Sequence, residues 1–247
     1  MRILIVSDIH GNYDALTAVL EHAARWDYLW VLGDLVDYGP EPHVVVDTVR
    51  ALKPDLVVLG NHDYAVAYDK DCGCAPELHD LSEYTRQRIS LRLLSREQLE
   101  WLKSLPTHRV VEIGAARAFV VHGSPRNKLF GYLKPSLPQY ELMLALTPSV
   151  YAVRPNPVDA ELVVTGHTHV QADFQAGASR VLNPGSVGQP RDGDRRAAFA
   201  VLETDSLAVS LCRVKYDVSS TVKKLSSLGI DSKYLARLVR ILHSGSV

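Results

Sequence analysis

Arg2-Ile3-Leu4-Ile5-Val6-Ser7-Asp8-Ile9-His10-Gly11-Asn12 begins as an apolar, β-branched run and stops at a carboxylate, a histidine and a glycine. An unbroken apolar run of this length predicts a strand buried on both faces. The pattern returns at residues 29–32 (LWVL), ended by Gly33-Asp34-Leu35-Val36-Asp37, and at residues 56–59 (LVVL), ended by Gly60-Asn61-His62-Asp63. Between these runs, residues 13–24 (YDALTAVLEHAA) and 43–52 (HVVVDTVRAL) have the length and apolar spacing of crossover helices, with Asn12 as N-cap of the first. The N-terminal third therefore reads β-α-β-α-β with a mostly parallel sheet.

Working outward, residues 79–104 read as two helices, the second opened by a Ser95/Gln98 capping box, and are expected to cover one side of a site. Strand-like runs return at 108–113, 118–121, 162–165, 180–182, 197–203 and 207–214 and predict a second sheet. Residues 219–242 form two more helical segments parted at Gly229, with an apolar stripe of Leu225, Leu228, Leu235, Leu238 and Leu242. Their basic residues, Lys223, Lys224, Lys233, Arg237 and Arg240, read as a solvated helix face rather than an RNA surface. We expect one domain over 1–247, with a helical, cap-like insertion at about 64–104.

The 247 residues are 47% apolar and carry a formal net charge of −1, so no global field draws the chain to nucleic acid or to an anionic membrane. No apolar run is long enough to span a bilayer, and residues 1–7 are too short for a signal peptide and lead straight into the first motif. Cys72, Cys74 and Cys212 are too few and odd in number for a disulfide framework. A cytoplasmic protein is expected. Cys72-Gly73-Cys74 is a weak signal of a redox or metal element and reads as a loop that carries thiols.

Two further segments, His122-Gly123 and Gly166-His167-Thr168-His169, also sit where apolar runs end, and five of the ten histidines fall in these motifs. Ligands of open α/β sheets bind beyond the carboxyl ends of strands, so the motifs can converge. The spacing of Asp8 with His10, and of His167 with His169, places each pair on one side of the chain if the stretch is extended. Any one of these residues alone reads as a turn former or a satisfied core residue. Together, Asp8, His10, Asp34, Asn61, His122, His167 and His169 are more donors than one tetrahedral ion takes. Mixed Asp, His and Asn donors suit Mn, Fe or Zn and are poor for Ca or Mg. Two such ions about 3.5–4 Å apart make the clamp used in phosphoester hydrolysis.

The ordered set D-x-H, G-D-x-x-D, G-N-H-D, H-G and G-H-x-H, spanning Asp8 to His169, resembles the calcineurin-like metallophosphoesterase superfamily. The run Asn183-Pro184-Gly185-Ser186-Val187-Gly188-Gln189-Pro190-Arg191 extends the resemblance to its small bacterial and archaeal phosphoesterases. The resemblance implies a four-layer α-β-β-α sandwich of two mixed β-sheets flanked by helices. It implies that Asp8, His10 and His169 hold one ion, that Asn61, His122 and His167 hold the other, and that Asp34 bridges both. His62 is then the general acid, with Asp63 beside it. The cofactors are two divalent transition-metal ions, Mn first and Fe, Zn, Ni or Co as alternatives, and the nucleophile is a hydroxide between them.

Protein Ser/Thr phosphatases and diadenosine tetraphosphatases of the superfamily carry a phosphate-gripping Arg in G-D-x-x-x-R-G, where this chain has Tyr38. The protein phosphatases also read G-N-H-E, against Asp63 here. These departures favour small phosphodiesters or nucleotide-like phosphoesters as substrates. Phosphomonoesterase or protein phosphatase activity is the alternative, and a protein-interaction scaffold with a decayed site is the alternative from another class. Arg191 is the first candidate for phosphate contact, at the end of a glycine-rich loop whose backbone N–H groups are candidates for an anion cradle. Arg126 and Lys128 are weaker candidates, and Asn12 is expected to serve as phosphate neighbour as well as cap.

Overall fold

The computed structural model describes residues 1–247 except Ala24, the final residue of the first predicted helix, which lies outside the described residues. In chain order the elements are β1 (Arg2–Val6), α1 (Tyr13–Ala23), β2 (Tyr28–Val31), α2 (Pro42–Leu52), β3 (Leu56–Val57), α3 (Asn61–Tyr68) and α4 (Pro76–Thr85). A π-helical turn (Arg86–Ser90) leads into α5 (Leu91–Leu93) and α6 (Arg96–Ser104). Then come β4 (His108–Ile113), β5 (Ala116–Val121), α7 (Gln139–Ala145), β6 (Leu162–Val164), β7 (Gln171–Ala176) and β8 (Ser179–Pro184). The chain ends with β9 (Ala197–Glu203), β10 (Val209–Val214), α8 (Val218–Ser227) and α9 (Ser232–Ser244).

Two five-stranded sheets result, ordered β10-β9-β1-β2-β3 and β4-β5-β6-β8-β7. Strands β1, β2 and β3 are parallel, as the apolar runs predicted, and β5, β6 and β8 are parallel in the other sheet. The runs at 197–203 and 207–214 do not join the second sheet: β9 lies antiparallel to β1 and β10 returns along β9. The reason is burial, since β9 is apolar on both faces and fits only a slot covered on both sides, which the position beside β1 provides. Strand β7 (QADFQA) alternates polar and apolar residues, but two of its three apolar positions are alanine and none is β-branched, so it was not anticipated; as an edge strand it pairs with β8 alone.

Period-two alternation explains the packing. Ile3 and Ile5 of β1 face inward with Trp30, Leu32 and Val58 and meet Ala118, Val120, Leu162, Val164 and Leu182 of the other sheet. Leu4 and Val6 face outward, under Leu16 and Val19 of α1 and Val45, Val46 and Val49 of α2. On the far side, Phe119, Val121, Val163 and Val181 lie under Leu142 of α7 and Leu146. The layers are therefore helix, sheet, sheet, helix, the expected sandwich.

The helices of 76–104 join the outer layer of the first sheet. Ser95 and Gln98 form the capping box of α6, and Gln98 Nε2 donates to His43 O at 2.9 Å. Leu225, Leu238 and Ile241 of α8 and α9 close over Tyr38, Leu78, Leu81 and Ile89. The basic residues of this end are partly spent locally, Lys224 on Asp14 and Glu41 and Arg237 on Asp80. No helix among the described residues is long and apolar enough to cross a membrane.

Candidate metal and active site

Parallel pairing continues past the strand ends: Asp8 N donates to Gly33 O, His10 N to Asp34 O and Gly11 N to Leu35 O at 2.8–3.0 Å. The loops after β1 and β2 thus run side by side. The third loop touches the second, because a Cβ at Gly60 would strike the backbone N and side-chain carboxylate of Asp34. The expected extended geometry of the paired ligands does not occur. Asp8 (φ 53°), His10 (φ 48°), His167 (φ 65°) and His169 (φ 59°) are all left-handed, as is Asp34 (φ 55°). Asp and His tolerate this region better than most residues, at a cost of about 1–3 kcal/mol each. Sharp turns fold the loops back over the strand ends, which an extended chain could not do. Of ten non-glycine residues with positive φ among the described residues, seven lie here, the other two being Asp37 and Tyr38.

All seven predicted ligands are buried and meet in two groups that share Asp34. In one, His10 Nε2 lies 3.2 Å from His169 Nε2, His169 Nε2 lies 3.2 Å from Asp8 Oδ1, and His10 Nε2 lies 3.7 Å from Asp34 Oδ2. In the other, His122 Nε2 lies 2.9 Å from Asn61 Oδ1 and 3.3 Å from Asp34 Oδ2, with His167 beside it. Donor atoms bound to one ion at about 2.0–2.2 Å stand at such separations. Asp8 Oδ1, Asp34 Oδ2 and His167 Nε2 are buried without a hydrogen-bond partner among the described residues. Buried polar atoms left so are costly, and divalent cations would satisfy them. The donors present fit the implied metals.

Backbone carbonyls orient the rings. His10 Nδ1 donates to Val36 O at 2.8 Å, His122 Nδ1 to Leu32 O at 2.7 Å and His169 Nδ1 to Gln189 O at 2.6 Å, leaving each Nε2 for the shared space. Burial pushes His10, His167 and His169 below the usual imidazole range, so they are neutral donors. Burial opposes ionisation of Asp8 and Asp34. Nearby histidines, His169 for Asp8 and His122 for Asp34, outweigh it and hold both carboxyls well below their ordinary values.

His62 opens α3 beside this cluster. Its backbone N–H donates to Asp34 Oδ1 at 2.8 Å and its Nδ1 to Asp37 Oδ2 at 2.9 Å, with Ser82 Oγ 3.3 Å from the same nitrogen. Burial lowers its pKa, but Asp34 and Asp37 win and raise it to about 9. Asp37 closes the G-D-x-x-D segment, and its spacing from Asp34 is the sequence signal for this partner of His62. Asp63, expected to act beside His62, is instead a brace. Its carboxylate accepts Asp34 N and Leu35 N at 2.8 Å and Gly60 N at 3.1 Å, locking the second and third loops together.

The remaining expectations divide. Arg191 lies at the rim, its N–H bonded to His169 O and its Nε and Nη2 donating to Gln189 Oε1 at 3.1 and 2.6 Å. Asn12 caps α1 by accepting Ala15 N, and its Nδ2 donates to Gly188 O and Tyr216 OH, so no donor is left for a phosphate in this conformation. The loop of residues 183–188 is no anion cradle: the N–H groups of Gly185, Val187 and Gly188 donate to Asn183 Oδ1, Ser7 O and Asp8 O. Arg126 is spent on the carbonyls of Ser149, Val150 and Ala152, and Lys128 on that of Pro125. Two aromatic neighbours were not foreseen as site walls. Tyr132 lies 4.3 Å from the His167 ring, and Tyr38 lies 4.9 Å from His10 and 5.0 Å from His62.

The chain belongs to the calcineurin-like phosphoesterase superfamily, whose domain model matches residues 1–207. It is 33% identical to a metallophosphoesterase from Sphaerobacter thermophilus, whose crystal structure superposes with a TM-score of 0.79 over 99% of each chain. An uncharacterized protein of Methanocaldococcus jannaschii is 28% identical over 243 residues, 90% of this chain and 91% of that one. A symmetrical bis(5'-nucleosyl)-tetraphosphatase of Buchnera aphidicola is 43% identical over 67 residues, 26% of this chain and 24% of that enzyme. Fold, donor clusters and family together define a phosphoester hydrolase of the metallophosphoesterase class, which uses divalent metals.

Proposed function

We propose that this enzyme hydrolyses phosphodiesters or nucleotide-like phosphoesters at a dinuclear centre, with Asp8, His10 and His169 on one ion, Asn61, His122 and His167 on the other, and Asp34 between them. The carrying observation is the pair of buried donor groups that share Asp34 and leave Asp8 Oδ1, Asp34 Oδ2 and His167 Nε2 without hydrogen-bond partners among the described residues. When bound, two divalent ions, Mn first, supply Lewis-acid neutralisation of the phosphoryl charge and a water of lowered pKa. The protein supplies the rest. Carbonyl-bound Nδ1 atoms aim the rings of His10, His122 and His169, and burial keeps His10, His167 and His169 neutral; at His122 burial is outweighed by the Asp34 carboxylate, which raises it to about 9, so this ring gives up a proton on taking an ion. His62, with Nδ1 held by Asp37 and a pKa near 9, keeps a proton at neutral pH for the departing oxygen. Arg191 at the rim supplies a fixed positive charge to the substrate phosphate.

Tyr38 supports the preference for diesters. It is buried between His10 and His62, where it adds no cation. A diester carries one negative charge, for which two ions and one arginine suffice; a dianionic monoester or phosphoprotein calls for more. The partial likeness to a tetraphosphatase fits a nucleotide-like substrate. The test is a panel of bis-nitrophenyl phosphate, cyclic and linear nucleotides, phosphomonoesters and phosphopeptides, run with Mn and with chelator alongside elemental analysis. We expect up to two ions per chain and fastest turnover of diesters or nucleotides. Full activity in chelator without detectable metal sinks the dinuclear centre, and faster dephosphorylation of phosphopeptides sinks the substrate class.

A further inference from the structure

Asn61 is held from outside the site by a loop that carries two cysteines. Residues 69–75 join α3 to α4, and within them Cys72 is buried and Cys74 half-buried. Cys72 O accepts the Asn61 Nδ2 hydrogen bond at 2.7 Å, while Asn61 Oδ1 points the other way, toward His122 Nε2 at 2.9 Å. A side-chain amide is rigid and planar, so the Cys72 carbonyl decides where Oδ1 is aimed. The Cys72 and Cys74 Sγ atoms face each other at 2.7 Å, and Cys72 Sγ lies 3.2 Å from Ser82 Oγ, the neighbour of His62. Gly73 between them has φ +60° and packs under Phe130, leaving no room for a Cβ, so the turn that opposes the two sulfurs is built in. Residues two apart in a turn fall within the about 4.4–6.8 Å Cα separation that a disulfide bridges.

We infer that Cys72 and Cys74 are a reversible dithiol–disulfide pair that gates ion binding at Asn61, with a small-molecule disulfide as oxidant; this rests on the reading of Asn61 as a metal ligand. The half-buried Cys74 Sγ, giving its proton to Cys72 Sγ 2.7 Å away, attacks one sulfur of the small disulfide, forming a mixed disulfide and expelling one small thiolate, which takes that proton. The Cys72 thiolate then attacks Cys74 Sγ, forming the internal bond and expelling the second. Two protein thiols are oxidised, one small disulfide is reduced to two thiols, and the two protons pass from protein to those thiols. Closing the bond fixes the torsions of Cys72 and turns its carbonyl from Asn61. Loss of a partner that orients a ligand weakens metal binding by about 10- to 100-fold.

The experiment treats the Mn-loaded full-length protein with oxidised glutathione and measures intact mass, cross-linked peptides, ions per chain and hydrolysis rate. We expect a loss of about 2 Da, two hydrogens, without an adduct. We also expect a Cys72–Cys74 cross-link, one ion lost when Mn is limiting, a parallel fall in rate, and full recovery with dithiothreitol. Cys74→Ser should keep the ion content and rate of the reduced protein and lose the response, whereas Cys212→Ser should respond like the native chain. A persisting glutathione adduct with no cross-link overturns the proposal. So does a cross-link that leaves ion content and rate unchanged, and so does a third ion per chain that disappears in Cys74→Ser, which would make the sulfurs ligands. If instead Asn61→Ala keeps two tightly bound ions, the ligand assignment has failed independently of whether the disulfide forms.

Discussion

Asp8 gives one half of the proposed centre a carboxylate of its own, whereas the other half has the neutral amide of Asn61 in the matching place. Their anchoring differs as well. Asp8 Oδ2 accepts Ser7 Oγ at 2.6 Å and His167 N at 3.1 Å, bonds from the strand end itself and from the facing ligand loop. Asn61 takes its orienting bond from Cys72 O, in the loop between two helices. One half is thus charge-rich and braced by the sheets, and the other is neutral and tethered to a peripheral loop. With Asp34 common to both, the Asp8 half should bind its ion more tightly, and the Asn61 half is where exchange or control can act.

Breaking the common element should have the largest effect. Asp34→Asn removes the one charge that serves both halves, and it also weakens the carboxylate that accepts the His62 backbone N–H. Hydrolysis should fall by about 10⁴-fold, equivalent to roughly 5.5 kcal/mol of lost transition-state stabilisation, with less than two ions retained. Activity within a few-fold of the native enzyme would remove the bridge. Next comes His62, the proposed acid beside Asn61. His62→Gln should slow esters with alkoxide leaving groups by about 10²- to 10⁴-fold and nitrophenyl esters much less. Equal losses in both classes would reassign His62 to positioning.

The same residue gives a pH signature. A folded-state pKa raised above the ordinary 6.5 means that the imidazolium persists through neutrality and is lost as pH rises through about 9. The rate with alkoxide esters should therefore hold below that value and fall above it. Asp37→Asn should move this limb to lower pH, because one of the charges that raises the pKa is gone. An unmoved limb would separate Asp37 from the acid. The asymmetry between the halves is itself measurable: during graded chelation one ion should leave first, with about 10-fold weaker binding, and Asn61→Ala should abolish that weaker site while Asp8→Asn abolishes the tighter one. Simultaneous loss of both ions would show the two halves to be equivalent.

Much of this was legible because ligands and glycines mark strand ends. The run Arg2–Val6 is apolar on both faces, and that single property announced a strand between two layers. Three features were hidden for physical reasons. The left-handed conformation of Asp8, His10, His167 and His169 is imposed by neighbouring loops, so spacing alone favoured an extended reading. Asp63 and Asp37 are both buried carboxylates next to motif residues, and only three-dimensional contact tells the loop brace from the partner of His62. Strand β9 belongs beside β1 across nearly the whole sequence, a pairing that no local pattern records.

The smallest expected effect lies outside both halves, at Arg191. Its guanidinium rests on Gln189 Oε1 through Nε and Nη2, and its backbone N–H donates to His169 O. Replacing the side chain by alanine leaves that backbone bond in place, along with the Gln189 carbonyl that holds His169 Nδ1 at 2.6 Å. Ion content should therefore stay at the native level. What disappears is the charged donor proposed to contact the substrate phosphate, and a charge-assisted hydrogen bond of about 1.5 kcal/mol corresponds to roughly 10-fold in kcat/KM. If KM rises with kcat unchanged, Arg191 grips substrate and transition state alike; if kcat falls in step with kcat/KM, it acts on the transition state. Arg191→Lys should recover only part of the loss, because an ammonium keeps the charge and loses the bidentate fork. A loss of ions in Arg191→Ala would instead make this arginine a support for the His169 loop and return phosphate recognition to the metals alone.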